Sequence, residues 1–420
     1  MSKIFPLRIA FIVNSFPTIS QTFILDQITG ILDRGHIIDI FSLNIEKNKR
    51  VHDDVIKYNL LKHTYYFPRF QRNKFIRLIS LPQHIIKFFP KHYSALINAL
   101  NIFRFGKKAS SLYLLYRSVP FLKNNSYDII HCHFGPNGNL AVSLKKIGIF
   151  KGKIITTFYG YDLTSYVKKN GPGIYKNLFE KGDLILSISK NFKKRLVNLG
   201  CNDKKIDIHH LGINSDKFKF YQRTPIKAQN KICILSISRL VEKKGIIYGI
   251  KAVKKLLIEF TNIEYLIAGD GPLKQELNEF IKKFQLKNNV KLLGEKKQDE
   301  ILNLMKAATI FLAPSVKSKS GDEEGTPVAI MEALASGIPV VSTCHSGIPE
   351  LVMHGKTGLL ANECDSDDLA NKIREIILNP LKSKKMVLKG RKHIEQNYDI
   401  NILNNKLIDT YYRVLMNYKA

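Results

Sequence analysis

Residues 320–343 read S-G-D-E-E-G-T-P-V-A-I-M-E-A-L-A-S-G-I-P-V-V-S-T. The polar start of this stretch predicts a loop, the apolar residues after it predict a helix, and the closing β-branched run predicts a buried strand. Pro327 suits the first residue of the helix, because its missing N–H would have no partner there in any case. Glu324 then lies in the loop before the helix, and Glu332 lies within it.

The same alternation of strands and helices extends through the second half of the chain. The predicted strands are 232–238, 264–268, 290–293, 309–312 and 339–342, with helices at about 245–260, 272–284, 297–307 and 327–336. Strands that alternate with helices of this length form parallel sheets covered on both faces. The second half therefore predicts one doubly wound α/β domain.

The first half shows the same rhythm with one interruption. Its predicted strands are 9–13, 37–43, 128–131, 154–157 and 184–187, and a helix at about 21–33 joins the first two. Segment 47–123 breaks the rhythm and looks mostly helical, and the polar segment 214–231 predicts a linker. We therefore predict an α/β protein with two Rossmann-like, doubly wound domains, 1–213 and 214–401, that face a cleft. Ligands of such sheets bind beyond the carboxyl ends of the strands.

Charge is concentrated in the first half. The chain has a formal net charge of +31, and segment 47–123, the basic aromatic insert, holds 16 Lys and Arg against only Asp53 and Asp54. Basic residues mixed with aromatic rings suit an anionic membrane surface, and they also suit nucleic acid. A lysine-rich composition without any partner is the third interpretation.

Composition also indicates the compartment. No run of about 18 apolar residues predicts a membrane-spanning helix, and the first residues lack the pattern of a cleavable signal. The five cysteines are scattered, with no C-x-x-C pair, so we expect reduced thiols rather than disulfides or a zinc site. These features predict a cytoplasmic protein.

The opening stretch also carries candidate chemistry. Gly325 allows a ligand to approach the backbone closely, and free N–H groups at a helix N-terminus favour anions such as pyrophosphate. The carboxylates of Glu324 and Glu332 could accept hydrogen bonds from sugar hydroxyls. An acidic loop followed by a helix with one surface glutamate is the plain structural alternative, so the spacing of the two acids is weak evidence by itself.

Further strings make the signal specific. They are F-P-T-I-S-Q-T-F-I-L-D-Q-I-T-G (16–30), H-H-L-G-I-N (209–214), S-I-S-R-L-V-E-K-K-G (236–245), A-G-D-G-P-L (268–273), F-L-A-P-S (311–315) and S-G-I-P-E-L-V (346–352). Together with 320–343 they resemble retaining family 4 glycosyltransferases of the GT-B fold. The first string is most similar to exopolysaccharide transferases of the colanic acid and amylovoran type. The resemblance covers nearly the whole chain and is weakest across 47–123.

The resemblance implies roles for charged residues on the donor side. Arg239 and Lys244 would clamp the pyrophosphate of a nucleotide sugar, and two cations at the end of a strand can offset the charge that develops on a leaving diphosphate. Glu324, selected over Glu323 by the E-G-x-P register, would contact the donor sugar, and Glu332 would contact the ribose.

The neighbouring backbone completes the expected donor site. The resemblance implies that Gly325, Thr326 and Pro327 line the sugar and phosphate pocket, and the string 268–273 adds Gly269 and Asp270 to the donor-binding candidates. The sequence has no G-x-G-x-x-G, which argues against a nicotinamide cofactor.

On the first-domain side, His133 ends a predicted strand, and the resemblance implies that it lies near C6 of the sugar and the acceptor. A histidine in the core is the alternative. Asp162 follows in T-F-Y-G-Y-D, where Tyr159 replaces the usual histidine of the family. Asp162 could orient the acceptor, order its loop or cap a helix.

The loop after the first strand lacks the glycine pair of many relatives. Ser15, Thr18 and Ser20 occupy it instead, and hydroxyls of this kind can bind a sugar or a phosphate on the acceptor side. Asp365 in D-S-D resembles a metal-binding motif of another transferase fold, but its place before a helix favours capping.

Together with the resemblance, these observations predict a retaining hexosyltransferase that uses a nucleotide sugar, expected to be a UDP-sugar, and a lipid-linked or polysaccharide acceptor. The clamp of Arg239 and Lys244 requires no metal, and no cofactor is expected. We expect peripheral attachment to the inner face of the cell membrane, no nucleic-acid partner, and a C-terminal helix, 402–420, that packs back on the first domain as the resemblance implies. An epimerase of nucleotide sugars on the same fold and a nucleic-acid-binding protein are the rival functions.

Overall fold

The structure is a computed structural model that describes residues 5–18, 21–46, 51–70, 73–81, 85–223 and 229–416. Within these residues, two parallel β-sheets organise the chain. We call the part built on the first sheet the first domain and the part built on the second sheet the second domain. Helices lie between successive strands in both, as the alternation in the sequence predicts.

The sheet of the first domain has the order β3-β2-β1-β4-β5-β6-β7, and all its neighbouring strands are parallel. Its strands are β1 Arg8–Phe16, β2 Ile37–Ile45, β3 Thr64–Tyr66, β4 Ile129–His133, β5 Lys153–Phe158, β6 Leu184–Ser187 and β7 Ile206–Ile208. The central strands β1 and β4 are apolar runs buried on both faces, as expected of a sheet covered by helices on each side.

The sheet of the second domain has the order β10-β9-β8-β11-β12-β13 and is also parallel throughout. Its strands are β8 Ile232–Ile237, β9 Ile263–Ala268, β10 Val290–Gly294, β11 Ile310–Ala313, β12 Val340–Thr343 and β13 Leu359–Ala361. In both sheets the strand order reverses at the centre, beside β1 and β8, which creates a crevice at the carboxyl ends.

The helices fall into two sets. Those of the first domain are α1 Thr22–Leu32, α2 Asp53–Lys57, α3 Lys74–Ser80, α4 Phe89–Ala99, α5 Ile102–Phe105, α6 Lys107–Ser110, α7 Tyr113–Ser118, α8 Gly135–Ile147, α9 Ser165–Asn170, α10 Lys176–Lys181 and α11 Lys190–Asn198. The later ones are α12 Ile246–Leu256, α13 Lys274–Lys283, α14 Gln298–Ala307, α15 Val328–Ala335, α16 Ile348–Leu351, α17 Ser366–Leu378, α18 Pro380–Asn397 and α19 Ile400–Met416.

The structure corrects the sequence predictions in two respects. The strands β3, β7 and β13 were not predicted, because each has three residues at the edge of its sheet and is too short to show periodicity. Pro327 precedes α15 instead of opening it, with an extended ψ of 115°. The capping prediction for Asp365 is confirmed, since its carboxylate accepts from the N–H groups of Asp367 and Asp368.

The last helix, α19, returns to the first domain. The Arg34 guanidinium donates to the backbone oxygen of Asn401 at 3.0 Å, and the Asn404 side chain donates to the oxygen of Asp26 at 3.2 Å. A Cβ on Gly30 would lie 1.8 Å from the Asn404 amide nitrogen, so this glycine allows α1 and α19 to approach closely. Residues 417–420 of the predicted helix lie outside the described residues.

The basic aromatic insert is only partly a surface feature. It contributes the edge strand β3 and the short helices α2 to α7. Phe67 and Phe121 are buried in the core, whereas Phe75, Ile79 and Phe103 are exposed. Composition alone therefore overstated its exposed aromatic character. None of the helices in the described ranges is both long and apolar enough to cross a bilayer.

Candidate active site

A cavity of about 440 Å³ lies between the two domains. The loops after β1, β4, β5 and β6 form its first-domain wall, and the loops after β8 and β11 form the opposite wall. The points of strand reversal in the two sheets therefore open onto the same space. Residues that line it include Gln21, Thr22, Phe23, Phe134, Tyr159, Tyr161, Ser238, Arg239, Lys243, Lys244, Glu324, Gly325, Thr326 and Pro327.

Three cations occupy the second-domain wall in the loop after β8. Arg239, Lys243 and Lys244 all line the cavity. Lys243 was not singled out from the sequence. Its ammonium lies 3.0 Å from the Asp322 carboxylate and its side chain is only 12% exposed. A positive wall beside a helix N-terminus suits a diphosphate.

Gly269 and Asp270 lie behind this loop and do not line the cavity. A Cβ on Gly269 would meet the oxygen of Ser238 at 1.9 Å, and the backbone at Gly269 has a φ of +132°. The N–H of Leu240 donates to the oxygen of Asp270 at 2.9 Å. The A-G-D-G-P-L string therefore supports the loop that carries Arg239, and its predicted contact with the donor stays a prediction.

Glu324 is held through both its side chain and its backbone. Its carboxylate forms an ion pair with Lys244, and its N–H donates to Nε2 of His345 at 2.9 Å. Because Nε2 of this buried histidine accepts, Nδ1 carries the proton and donates to Glu363 at 2.8 Å. Burial raises the pKa of Glu324, but the charges of Lys244 and Lys243 outweigh it and leave the pKa below its ordinary value. Glu324 is thus an ionised, fixed carboxylate.

The start of α15 faces the cavity. Gly325, Thr326 and Pro327 line it together, and a Cβ on Gly325 would lie 2.6 Å from the oxygen of Tyr159. The hydroxyl oxygens of Thr326 and Ser238 are buried and have no hydrogen-bond partner among the residues that the structure describes. Buried hydroxyls that line a cavity and lack partners are those expected to bind a polar ligand.

Glu332 lies one turn further along α15 and outside the lining of the cavity. Burial and the negative charge of Asp26, on α1 of the first domain, raise the pKa of Glu332 to about 7. Burial also raises the pKa of Asp26 to about 6, against the charges of Lys217 and His52. The two acids therefore face each other across the domain boundary.

The first-domain wall is aromatic. The rings of Phe23 and Phe134 each lie close to that of Tyr159, with centroids 4.9 and 4.8 Å away. Phe134 has a φ of +73°, which is unusual for a residue with a bulky side chain. Its ring therefore reaches the cavity from a strained backbone, a feature that concentrates at functional sites.

Asp162 stabilises this strained backbone. Its buried carboxylate accepts from the N–H of Gly135 at 3.0 Å, of Tyr159 at 3.1 Å and of Gly160 at 2.8 Å. Burial raises the pKa of Asp162 to about 6 despite these donors. Of the roles that the sequence left open, the geometry favours ordering the loops after β4 and β5. Asp162 itself does not line the cavity.

His133 lies beneath the aromatic wall and is fully buried. Its Nδ1 forms a hydrogen bond of 2.6 Å with the Tyr159 hydroxyl, and its Nε2 has no partner within the described part of the chain. Burial lowers the pKa of His133 to about 3, so the ring is neutral. His131 stacks on it at 4.5 Å and bonds to the hydroxyl of Tyr411 in α19 at 2.6 Å. His133 thus positions Tyr159, the residue that replaces the usual histidine.

The hydroxyls predicted on the acceptor side are separate from the main cavity. Ser15 and Thr18 line a second, much smaller space beside α1, and Ser20 lies outside the described residues. Gln21 and Thr22, the next residues along the chain, do line the main cavity. Sequence reasoning also missed Ser238, although it lies within the quoted string 236–245, and His345, because a single histidine carries no motif.

Two family models match the chain in succession. "Glycosyltransferase Family 4" matches residues 20–217, and "Glycosyl transferases group 1" matches residues 217–393. Residues 20–217 carry the aromatic wall, and residues 217–393 carry the cations and Glu324. The two matches therefore meet at the boundary between the two sheets.

Curated relatives match over nearly their full length. A protein of Salmonella typhimurium named as a colanic acid biosynthesis glycosyltransferase, WcaL, is 35% identical over 96% of this chain and 98% of its own. The amylovoran biosynthesis glycosyltransferase AmsK of Erwinia amylovora is 33% identical over the same shares.

Solved structures share the fold. Anabaena Alr3699/HepE, in complex with UDP and glucose, superposes with a TM-score of 0.69 at 18% identity over 97% of this chain and 100% of its own. The lipopolysaccharide outer core galactosyltransferase WaaB gives 0.66 at 16% identity, over 99% and 100%. The predicted architecture of two facing α/β domains, GT-B, is confirmed.

Proposed function

Because the chain belongs to the glycosyltransferases that join a family 4 domain to a group 1 domain, we propose that it transfers a hexose from a nucleotide sugar to a glycan. One observation carries this proposal. The strand reversals of both sheets open onto one cavity, where three cations, a fixed carboxylate and the N-terminus of α15 face an aromatic wall. The cationic wall suits a negatively charged donor, and the aromatic wall suits a sugar acceptor.

The donor is a UDP-sugar in this proposal. Arg239, Lys243 and Lys244 would neutralise the diphosphate, and the free hydroxyls of Ser238 and Thr326 would bind its oxygens or those of the sugar. The related fold of HepE is known with UDP-glucose, which supports uridine as the base. We propose that the cations carry the charge of the leaving group without a metal ion.

The transfer would retain the configuration of the sugar. Glu324 is ionised and paired with Lys244, and its lowered pKa makes it a weak base. A weak base in this place supports a front-face reaction, in which the leaving phosphate itself accepts the proton of the acceptor hydroxyl. Glu324 would then bind the hexose and favour positive charge at the reacting carbon.

The acceptor would be a lipid-linked glycan at the cytoplasmic face of the membrane. The relatives WcaL and AmsK are named for the biosynthesis of colanic acid and amylovoran, so we propose that this chain builds an exopolysaccharide. Phe75, Ile79 and Phe103 are exposed within the insert that also holds 16 basic residues. Apolar and basic side chains on one segment favour binding to anionic lipid.

A donor screen followed by a transfer assay tests the proposal. UDP-glucose, UDP-galactose and GDP-mannose are compared by the rise in melting temperature that a bound ligand produces, and the stabilising donor is then incubated with bacterial membranes. We expect label in lipid-linked glycan and an α-linked product from an α-linked donor. Arg239→Ala should abolish transfer, whereas Arg374→Ala, which removes an exposed pair with Glu259, should not.

Each other outcome contradicts the proposal in a distinct way. A new nucleotide sugar formed from the donor alone would indicate an epimerase. Salt-sensitive binding to random duplex DNA without donor binding would indicate a nucleic-acid-binding protein. An inverted product would exclude the front-face reaction while leaving the transferase activity in place.

A further inference from the structure

An ion pair crosses the domain boundary one residue from Glu324. The Arg195 guanidinium, on α11 of the first domain, bonds to the carboxylate of Glu323 in the loop before α15. Glu323 is 5% exposed, and its other oxygen lies 3.3 Å from the ammonium of Lys317. Burial raises the pKa of Glu323, but the hydrogen bonds and charges of Arg195 and Lys317 outweigh it and leave the pKa below its ordinary value.

Adjacent residues of one loop thus have partners in different domains. Glu323 binds the first domain through Arg195, whereas Glu324 binds the second domain through Lys244 and His345. Glu323 and Glu324 are adjacent in the chain, so the position of one side chain restricts the backbone that carries the other. Holding Glu323 in place therefore also fixes the direction in which Glu324 points.

Close packing of backbone surrounds the same junction. A Cβ on Gly325 would lie 2.6 Å from the oxygen of Tyr159, and one on Gly347 would lie 2.7 Å from the oxygen of Gly325. The carboxylate of Glu350, in α16, accepts from the N–H of Lys190 at 2.8 Å and of Asn191 at 2.9 Å at the start of α11. The loop is therefore held between α11 and the second domain, and α11 contacts the second domain both at its start and through Arg195.

We propose that Arg195 is a positioning residue: through Glu323 it fixes the loop that carries Glu324, so that Glu324 takes its place only while the first domain is docked. The inference rests on the proposed function in that it assigns Glu324 to the donor. Separation of the domains would break the Arg195–Glu323 pair and release the loop. Donor chemistry would then be coupled to contact between the domains.

Hydrogen exchange tests this coupling without any substrate. The N–H of Glu324 is bonded to His345, so its exchange rate reports local opening of the loop. We expect Arg195→Ala and Glu323→Gln to speed exchange in a peptide spanning 320–330 by about tenfold. Lys193→Ala is the matched control, because Lys193 lies on the same helix but pairs with Asp203 of the first domain at 2.9 Å.

A charge reversal and kinetics give the second readout. Arg195→Ala should lower kcat by on the order of tenfold, with a smaller change in the donor KM, because misplacement of a reacting group affects the chemical step. The double variant Arg195→Glu, Glu323→Arg should restore part of the kcat and slow the exchange again, which a merely structural role would not produce.

Unchanged exchange at 320–330 in both Arg195→Ala and Glu323→Gln would overturn the inference, as would an equal effect of Lys193→Ala. If Arg195→Ala does not fold, Glu323→Gln tests the same contact from the other domain. Absence of any sugar transfer by the parent protein would instead sink the proposed function, and the exchange result would still stand on its own.

Discussion

Replacement of Lys244 by methionine tests the charge balance at the centre of the cavity. The side chains of Lys244 and Glu324 are 18% and 14% exposed, and the pair lies beside Lys243. Removing one partner of a buried ion pair costs about 3–5 kcal/mol. Because some water reaches the pair and Lys243 remains, we expect a loss of about 2 kcal/mol at neutral pH. That loss lowers the melting temperature by about 4–8 °C for a domain of this size.

The stability penalty of Lys244→Met should depend on pH, because it depends on the ionisation of Glu324. In the parent protein the pKa of Glu324 is lowered, so the pair contributes stability above the ordinary carboxyl pKa and loses it as pH falls through the folded-state pKa. Without Lys244, burial should dominate and raise the pKa of Glu324. The penalty of Lys244→Met should therefore grow as pH rises from 5 to 8, since the uncompensated charge then forms.

Thermal unfolding at pH 5 and pH 8 is the assay. The double variant Lys244→Met, Glu324→Gln should recover most of the loss at pH 8, because it leaves no unpaired charge. Lys274→Met is the control, since Lys274 and Asp270 form an exposed pair, 41% and 39% exposed, and an exposed ion pair contributes little to stability. An equal penalty at both pH values, or no recovery in the double variant, would refute this account of the site.

Three further predictions concern the walls of the cavity. Gly325→Ala should weaken UDP binding in a calorimetric titration, because its Cβ would lie 2.6 Å from the oxygen of Tyr159, whereas Gly173→Ala, with open space around the Cβ, should bind normally. Asp162→Asn keeps one acceptor oxygen but turns the other into an NH2 group, which cannot accept from the N–H that faces it, and should cost about 1–3 kcal/mol in a denaturant titration. An unchanged midpoint would contradict its role in ordering the loops. Glu332 has a raised pKa of about 7, so its folded form favours the proton and stability falls as pH rises through 7. Glu332→Gln should therefore be more stable than the parent at pH 8 but not at pH 5, by thermal unfolding.

Much of the fold was predictable because its strands are long enough to carry a signal. The predicted strands 9–13 and 184–187 correspond to β1 and β6, since buried parallel strands are continuous apolar runs. The three-residue edge strands carry no such pattern, and only their neighbours in the sheet define them. Packing likewise divides the aromatic residues of the insert into buried and exposed groups, and composition does not reveal that division.

The candidate site was predictable to the extent that it depends on position after a strand. Arg239, Lys244 and Glu324 follow β8 and β11, and parallel strands bring such loops to one edge. Whether a residue that follows a strand also reaches the cavity was not predictable in the same way. Asp270 also follows a strand, yet the loop of Arg239 packs over it.

The sequence by itself determined the alternation of strands and helices and, through it, the two parallel sheets. These are local properties, set by burial and by the conformations that proline and glycine allow. Only the tertiary structure decided which charges meet. Arg195 and Glu323 are 128 residues apart and belong to different domains, and His133 bonds to Tyr159 from a neighbouring strand. Such contacts depend on how sheets dock, and docking is the sum of many weak packing terms that no short stretch of sequence contains.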